Sequence, residues 1–150
     1  MAFSNMRLAA KKEGVELLIL SAWRGLEEQA RLFEDAERRH GAGLSIFWVA
    51  PSGYSEHHTG YVIDVADGTA PQTDDEPAFE GTLAFRWLRK NGSKFGFRLS
   101  FPKENWQKIS YEPWHWRYVG NEEASRIFYP PFYFFWLKVL RSSWKFASWR

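Results

Sequence analysis

Two short stretches hold most of the side chains able to do chemistry: Ser55-Glu56-His57-His58-Thr59-Gly60-Tyr61-Val62-Ile63-Asp64 and Glu112-Pro113-Trp114-His115-Trp116-Arg117. His57, Asp64 and His115 offer two imidazoles and a carboxylate, and three protein donors with an open position is the ligand count of a catalytic zinc. Imidazole nitrogen and carboxylate oxygen both suit that ion at about 2.0–2.2 Å. Glu112 stands three residues before His115, where a carboxylate can take a proton from water activated at the metal. The chain has 4 histidines, and three of them fall in these stretches. Taken singly, His57 and His115 read as ordinary polar residues and Glu112 as a surface carboxylate. Taken together they point to a zinc hydrolase with a single metal site. His58 is expected to point away from the metal, because neighbours on an extended chain face opposite sides. Pro113 excludes a helix between Glu112 and His115 and favours an extended or turn geometry.

These groups need elements to hold them. Residues 2–13 read as a helix through Phe3, Met6, Leu8, Ala9 and Ala10, stopped by Gly14. Val15–Ser21 is a short apolar run of strand length, followed by a loop at Ser21-Ala22-Trp23-Arg24-Gly25. Leu26–Arg39 is an amphipathic helix with Leu26, Ala30, Phe33 and Ala36 on one face. Pro51, Gly53 and Gly60 place the start of the first motif in a loop, and the β-favouring Tyr61–Ala66 puts Asp64 on a strand. Residues 68–80, with two prolines and four acids, read as a mobile loop. Thr82–Asn91 reads as a helix; Phe95–Ser100, Ile109–Glu112 and Trp114–Val119 as short strands; Glu122–Phe128 as a last helix. The order predicts an α+β domain with a small central antiparallel sheet and flanking helices.

Composition narrows the class. A chain of 150 residues is one domain long and can bury a core without staples. With no cysteine, disulfides, thiolate ligands and a thiol nucleophile are excluded, and so is a finger-type structural zinc. Twenty basic against 18 acidic residues, net +2, argue against nucleic acid as a partner. The chain carries 9 Trp, 6 Tyr and 13 Phe, read chiefly as core. Ten of these aromatics fall in residues 128–150, a stretch with two prolines and no acid. That segment is read as a tail separate from the domain of residues 1–127. Its apolar run, residues 127–137, is only eleven residues long, holds two prolines and is followed by Lys138, too short for a spanning helix of about 20 residues; packing on the domain or a partner is expected, with contact at a membrane surface as the alternative. No signal peptide is visible at the start, and nothing in the sequence speaks to oligomeric state.

The two motifs in this order resemble the VanY-type D-alanyl-D-alanine carboxypeptidases, within the zinc peptidase group that includes lysostaphin and the D-Ala-D-Ala dipeptidases. The resemblance runs from about Ala9 to Gly120. It implies zinc held by His57, Asp64 and His115, with Glu112 as general base. It likens Ser21-Ala22-Trp23-Arg24-Gly25 with Gln29 to the family's arginine loop. Arg24 would then hold the substrate's carboxylate or polarise its scissile carbonyl, with Ser55, Gln29 and Trp114 completing the substrate site. The implied substrates are peptidoglycan stem peptides, and the implied location is the cell envelope or periplasm. His58, Tyr61, Val62 and Gly25 depart from the family's usual residues, which bears on substrate preference rather than chemistry. An L,D-carboxypeptidase and a peptidoglycan endopeptidase remain open on the same residues. A non-catalytic cell-wall binding module would be expected to lose a ligand or the base, and this chain keeps all four.

Overall fold

A computed structural model describes residues 1–128. In chain order they form α1 (Ala2–Lys12), β1 (Leu17–Ser21), α2 (Leu26–His40), β2 (Val62–Asp67), α3 (Leu83–Asn91), β3 (Phe97–Leu99), β4 (His115–Tyr118) and α4 (Glu122–Phe128). Short 3₁₀ turns fill the connections. The strands make one antiparallel sheet in the order β1-β2-β4-β3, the α+β arrangement read from the sequence.

Alternation divides the sheet into two unlike faces, because successive side chains on a strand point to opposite sides. Ile63 and Val65 of β2 and Trp116 and Tyr118 of β4 turn to the core, which they share with Met6 and Ala10 of α1 and Phe85, Trp87 and Leu88 of α3. Met6, Leu17 and Phe79 are fully buried, and each such side chain contributes about 1.5–3 kcal/mol relative to exposure. Trp116 satisfies its indole N–H on the Pro113 carbonyl at 2.9 Å. The opposite face carries Asp64, His115 and Arg117. Asp64 pairs directly with His115 across β2 and β4.

Three local devices bring other parts of the chain to that polar face. An irregularity between Ile19 and Ser21 shifts β1 so that Ser21 stands opposite Asp64. Ser55 caps the 3₁₀ turn Glu56–Thr59, its hydroxyl accepting from the His57 N–H at 3.3 Å. Gly60 ends that turn at φ 72°, a left-handed conformation that a side chain would resist. Asp67, the last residue of β2, accepts the Ala84 N–H at 3.1 Å beside the Thr82 cap, fixing where α3 starts.

Several expectations change. Residues 68–80 are not a mobile loop: they wind into 3₁₀ turns at Pro71–Thr73 and Pro77–Gly81 that bury Thr73 and Phe79. Ile109–Glu112 is not a strand. Its amides go instead to single carbonyls elsewhere, Ser110 to Phe47 at 2.8 Å and Glu112 to Phe101 at 3.2 Å. In α2 the buried positions are Gln29 and Ala36, while Leu26 is exposed. The last helix runs over Glu122–Phe128 as read, and Phe128 at its end is buried. The remainder of the tail, with its possible membrane contact, lies outside the described residues. Among the described residues no helix is long and apolar enough to cross a membrane.

Candidate metal centre

His57 reaches the site from its 3₁₀ turn. Its Nδ1 lies 2.5 Å from the Ala22 carbonyl, which can only accept, so Nδ1 carries the proton and Nε2 keeps a lone pair. That Nε2 lies 3.1 Å from Asp64 Oδ2. His115 comes from the start of β4 and turns Nδ1 to Asp64 Oδ1 at 3.2 Å. The two rings meet edge to face, with centroids 4.9 Å apart and planes at 88°.

One donor atom from each of His57, Asp64 and His115 lies within 4.8 Å of the other two, and all three residues are buried. Asp64 Oδ1 is buried without a hydrogen bond, because the approach of His115 Nδ1 has ion-pair distance but not hydrogen-bond geometry. A buried carboxylate oxygen without a hydrogen bond is costly in a protein interior, and a cation shared by Asp64 and the two imidazoles would satisfy it. The donor set of two nitrogens and an oxygen suits zinc. Burial pushes the Asp64 carboxyl up, but its contacts with His115 and His57 outweigh that and hold it well below the usual carboxylate range. Burial also works against charge on His115; the closeness of the Asp64 and Glu56 carboxylates wins and raises its pKa to about 10.

Glu112 sits at the open side of this group. The Glu112 carbonyl accepts the His115 N–H at 3.3 Å, closing a turn with Pro113 at its second position. This turn brings Glu112 Oε2 to 3.4 Å from His115 Nδ1. Burial raises the Glu112 pKa to about 8; the His115 charge opposes this, and the Asp64 and Glu56 charges add to it.

Arg24 leans over the same carboxylate, 3.7 Å from Asp64 Oδ2. Its guanidinium donates to Gln29 Oε1 at 3.0 Å and to Ser21 Oγ at 3.1 Å, which leaves the buried Nε–H without a partner. A cleft of about 520 Å³ opens above the metal group, and Arg24, Ser55, Glu112 and Trp114 line it. Gln29 also lines it, but both amide ends are occupied, one by Arg24 and the other by the Ala50 carbonyl at 2.6 Å. Gln29, expected to touch substrate, lines the cleft and also braces Arg24.

His58 keeps out of the metal group, though not for the expected reason, since it lies in a 3₁₀ turn and not on an extended segment. It accepts from the Gly53 N–H at 3.1 Å, and its other nitrogen reaches the Arg24 carbonyl at 2.7 Å, tying the arginine loop to the first motif. Sequence reasoning assigned no role to the buried Glu56 and Ser100 and the half-buried Arg117, which form a group against the far side of His115. Arg117 had a usable signal: two residues after His115 on a strand, it must share that residue's face. The placement of Ser100 had none.

Comparison with known proteins agrees with this geometry. The sequence model of the VanY family, described as D-alanyl-D-alanine carboxypeptidase, matches residues 1–121. The chain belongs to the VanY family. The match includes α1, which the motif-based resemblance had largely left out. The YodJ protein of Bacillus subtilis (strain 168) is 38% identical over 128 residues, covering 84% of this chain and 46% of that protein. The structure resembles that of the LdcB LD-carboxypeptidase with a TM-score of 0.73 at 36% identity, covering 84% of this chain and 59% of that one. It also resembles a vancomycin-resistance D,D-pentapeptidase VanY solved in complex with Zn(II), with a TM-score of 0.68 at 28% identity, covering 86% and 75%. The chain spans about half the length of curated VanY relatives such as YodJ and the Enterococcus faecalis (strain ATCC 700802 / V583) D-alanyl-D-alanine carboxypeptidase, 46% and 47%.

Proposed function

We propose that this VanY-family chain is a zinc-dependent carboxypeptidase that hydrolyses the terminal D-Ala-D-Ala bond of peptidoglycan stem peptides. The observation that carries the reading is the gathering of His57, Asp64 and His115 into one buried donor group with the carboxylate of Glu112 beside it. The family description and the zinc-bound relative support it. A binding module would have no use for a half-buried Glu112 carboxylate beside the metal group.

His57 Nε2, Asp64 and His115 Nδ1 would hold the zinc. When bound, zinc supplies a Lewis acid that polarises a carbonyl and acidifies water toward a pKa of about 7. Glu112 then takes the proton of the attacking water on its carboxylate and returns it to the leaving amine nitrogen. Burial raises the Glu112 pKa in the metal-free site, and the charge of a bound zinc would lower it again toward the range in which the ionised carboxylate accepts a proton near neutral pH. Arg24 has a free donor at Nε and a position fixed by Gln29 and Ser21, so it can bind a carboxylate or the oxygen on which negative charge develops. The Ser55 hydroxyl accepts from His57 N–H and keeps its own proton to donate to the substrate's C-terminal end. Trp114 supplies an apolar wall to the cleft. The catalytic unit on this reading is residues 1–127, and its site of action is the cell envelope or periplasm, where stem peptides are found.

A second reading, cleavage before the D-alanine of a tetrapeptide, is favoured by the likeness to the LD-carboxypeptidase LdcB. Zinc-loaded protein incubated with defined stem pentapeptides and tetrapeptides, with products weighed by mass spectrometry, separates the two. Loss of one D-alanine from the pentapeptide supports the first reading, and loss from the tetrapeptide the second. If neither peptide is shortened, both fail.

A further inference from the structure

His57 and His115 face the metal point through different nitrogens, and the difference lies behind the rings. Behind His57, a neutral backbone carbonyl, Ala22 O, holds Nδ1 at 2.5 Å. Behind His115 stands a carboxylate. Glu56 Oε2 lies 3.2 Å from His115 Nε2 and accepts the Ser100 hydroxyl at 2.7 Å. Glu56 Oε1 lies 3.4 Å from the Arg117 guanidinium. Arg117 donates to the Ser100 carbonyl at 3.0 Å, closing the group on itself. Glu56 is 3% exposed and Ser100 1%. The guanidinium also rests over the Phe128 ring at 5.4 Å, which anchors it to α4.

A carboxylate in such a place demands a reason, since burying one is unfavourable unless it is fully partnered. Glu56 is fully partnered, and none of its partners is a group that touches substrate in the mechanism above. We infer that Glu56, clamped by Ser100 and Arg117, is the positioning residue that fixes His115 as an Nδ1 metal ligand. The inference rests on the zinc reading of the site. A carboxylate can only accept, so the bond to Glu56 keeps a proton on His115 Nε2, and Nδ1, which faces Asp64, is the nitrogen that gives up its proton to a metal. The same bond sets the ring plane and makes the imidazole a better donor than one backed by a carbonyl. Ser100 and Arg117 prevent Glu56 from swinging round to ligate the metal itself. Arg117 shares the strand face of His115, so the clamp and the ligand move as one piece of β4.

The rival account is a buried ion pair that merely ties the Glu56–Thr59 turn to the sheet. That role would alter zinc-free folding and leave zinc affinity of the folded protein alone. The test uses the full chain with zinc alone as the probe, measuring affinity by chelator competition and ring chemistry by ¹⁵N-histidine NMR. In the parent, zinc-bound His115 should show a proton on Nε2 and His57 a proton on Nδ1. His115 bound through Nε2 overturns the inference. Glu56→Gln keeps the shape and an acceptor oxygen but loses the charge, and should weaken zinc binding about 10-fold, within the range known for such outer partners. Ser100→Ala removes one support of Glu56 without touching His115, and should weaken binding about 2–10-fold. It decides the matter where Glu56→Gln does not fold. Affinities within twofold of the parent in the folded variants overturn the inference while leaving the zinc reading intact. A parent that binds no zinc overturns both.

Discussion

The two faces of the central sheet are made by the same strands, residue by residue in alternation, yet they obey different physics. Val65 and Trp116 on one face join a core of rings and aliphatic chains whose attraction is non-directional and grows with buried area. Asp64 and His115 on the other are their immediate chain neighbours, but they are buried charges whose worth depends on distance and on which atom carries the proton. The apolar face stabilises the fold. The polar face in the metal-free protein is held at a cost, visible in the orphaned Asp64 Oδ1 and in a Glu112 carboxyl raised to about 8. Such uncompensated groups mark a site shaped for something it binds rather than for stability.

That contrast can be broken from either side. The largest effect is expected from Glu112→Gln on the polar face. It should lower kcat on stem peptides about 10²–10⁴-fold, leave zinc content unchanged and leave the thermal midpoint unchanged or higher. A lower midpoint of similar weight to the kinetic loss would show that the polar face also carries the fold. Phe79→Ala is the counterpart on the apolar side, where the ring is fully buried. It should cost about 3–5 kcal/mol in denaturant unfolding, while the remaining folded protein binds zinc as the parent does. A milder test is Arg24→Gln. On the proposed role of Arg24 in holding substrate, its loss should reduce kcat/KM about 10–100-fold at unchanged zinc stoichiometry. An equal loss of zinc would reassign Arg24 to the metal site.

The smallest and most graded effect concerns pH. The folded-state pKa of Glu112, about 8, lies above its ordinary 4.5, and that of His115, about 10, above its ordinary 6.5. A raised pKa contributes stability that is full below the ordinary value and lost as pH rises through the folded one. Asp64 is shifted the other way, so its contribution is lost only on acidification. Zinc-free protein should therefore melt lower at pH 9 than at pH 6. Zinc should narrow the gap, since metal replaces the proton on His115 and binds more tightly as pH rises. A zinc-free midpoint that is flat or rising over that range would contradict the polar-face account.

Much of the site was legible because its chemistry is written in residue types. His57, Asp64, His115 and Glu112 were found from donor chemistry and spacing, and the structure brings all four together. The helices and long strands followed from apolar periodicity, as at Met6 and Ala10 of α1. The misreadings share a cause. Residues 68–80 look loose by composition, yet Phe79 and Thr73 are buried by contacts from distant parts of the chain. Ile109–Glu112 has strand-like residues, but its amides find the carbonyls of Phe47 and Phe101 instead of a neighbouring strand. The bracing of Arg24 by Gln29 was not legible either, because the Ala50 carbonyl that holds its other end lies far along the chain.

The sequence by itself determined the inventory: which atoms could hold a metal, which carboxylate could move a proton, and that strands would alternate apolar with polar. Those follow from side-chain chemistry and backbone geometry, which are local. The tertiary structure alone decided which nitrogen of each imidazole is free and which neighbours occupy Arg24, and it alone placed a second buried carboxylate, Glu56, behind His115. These are settled by hydrogen bonds between residues such as His57 and Ala22, or Glu56 and His115, that only the register of β2 on β4 and the turns around it bring within reach.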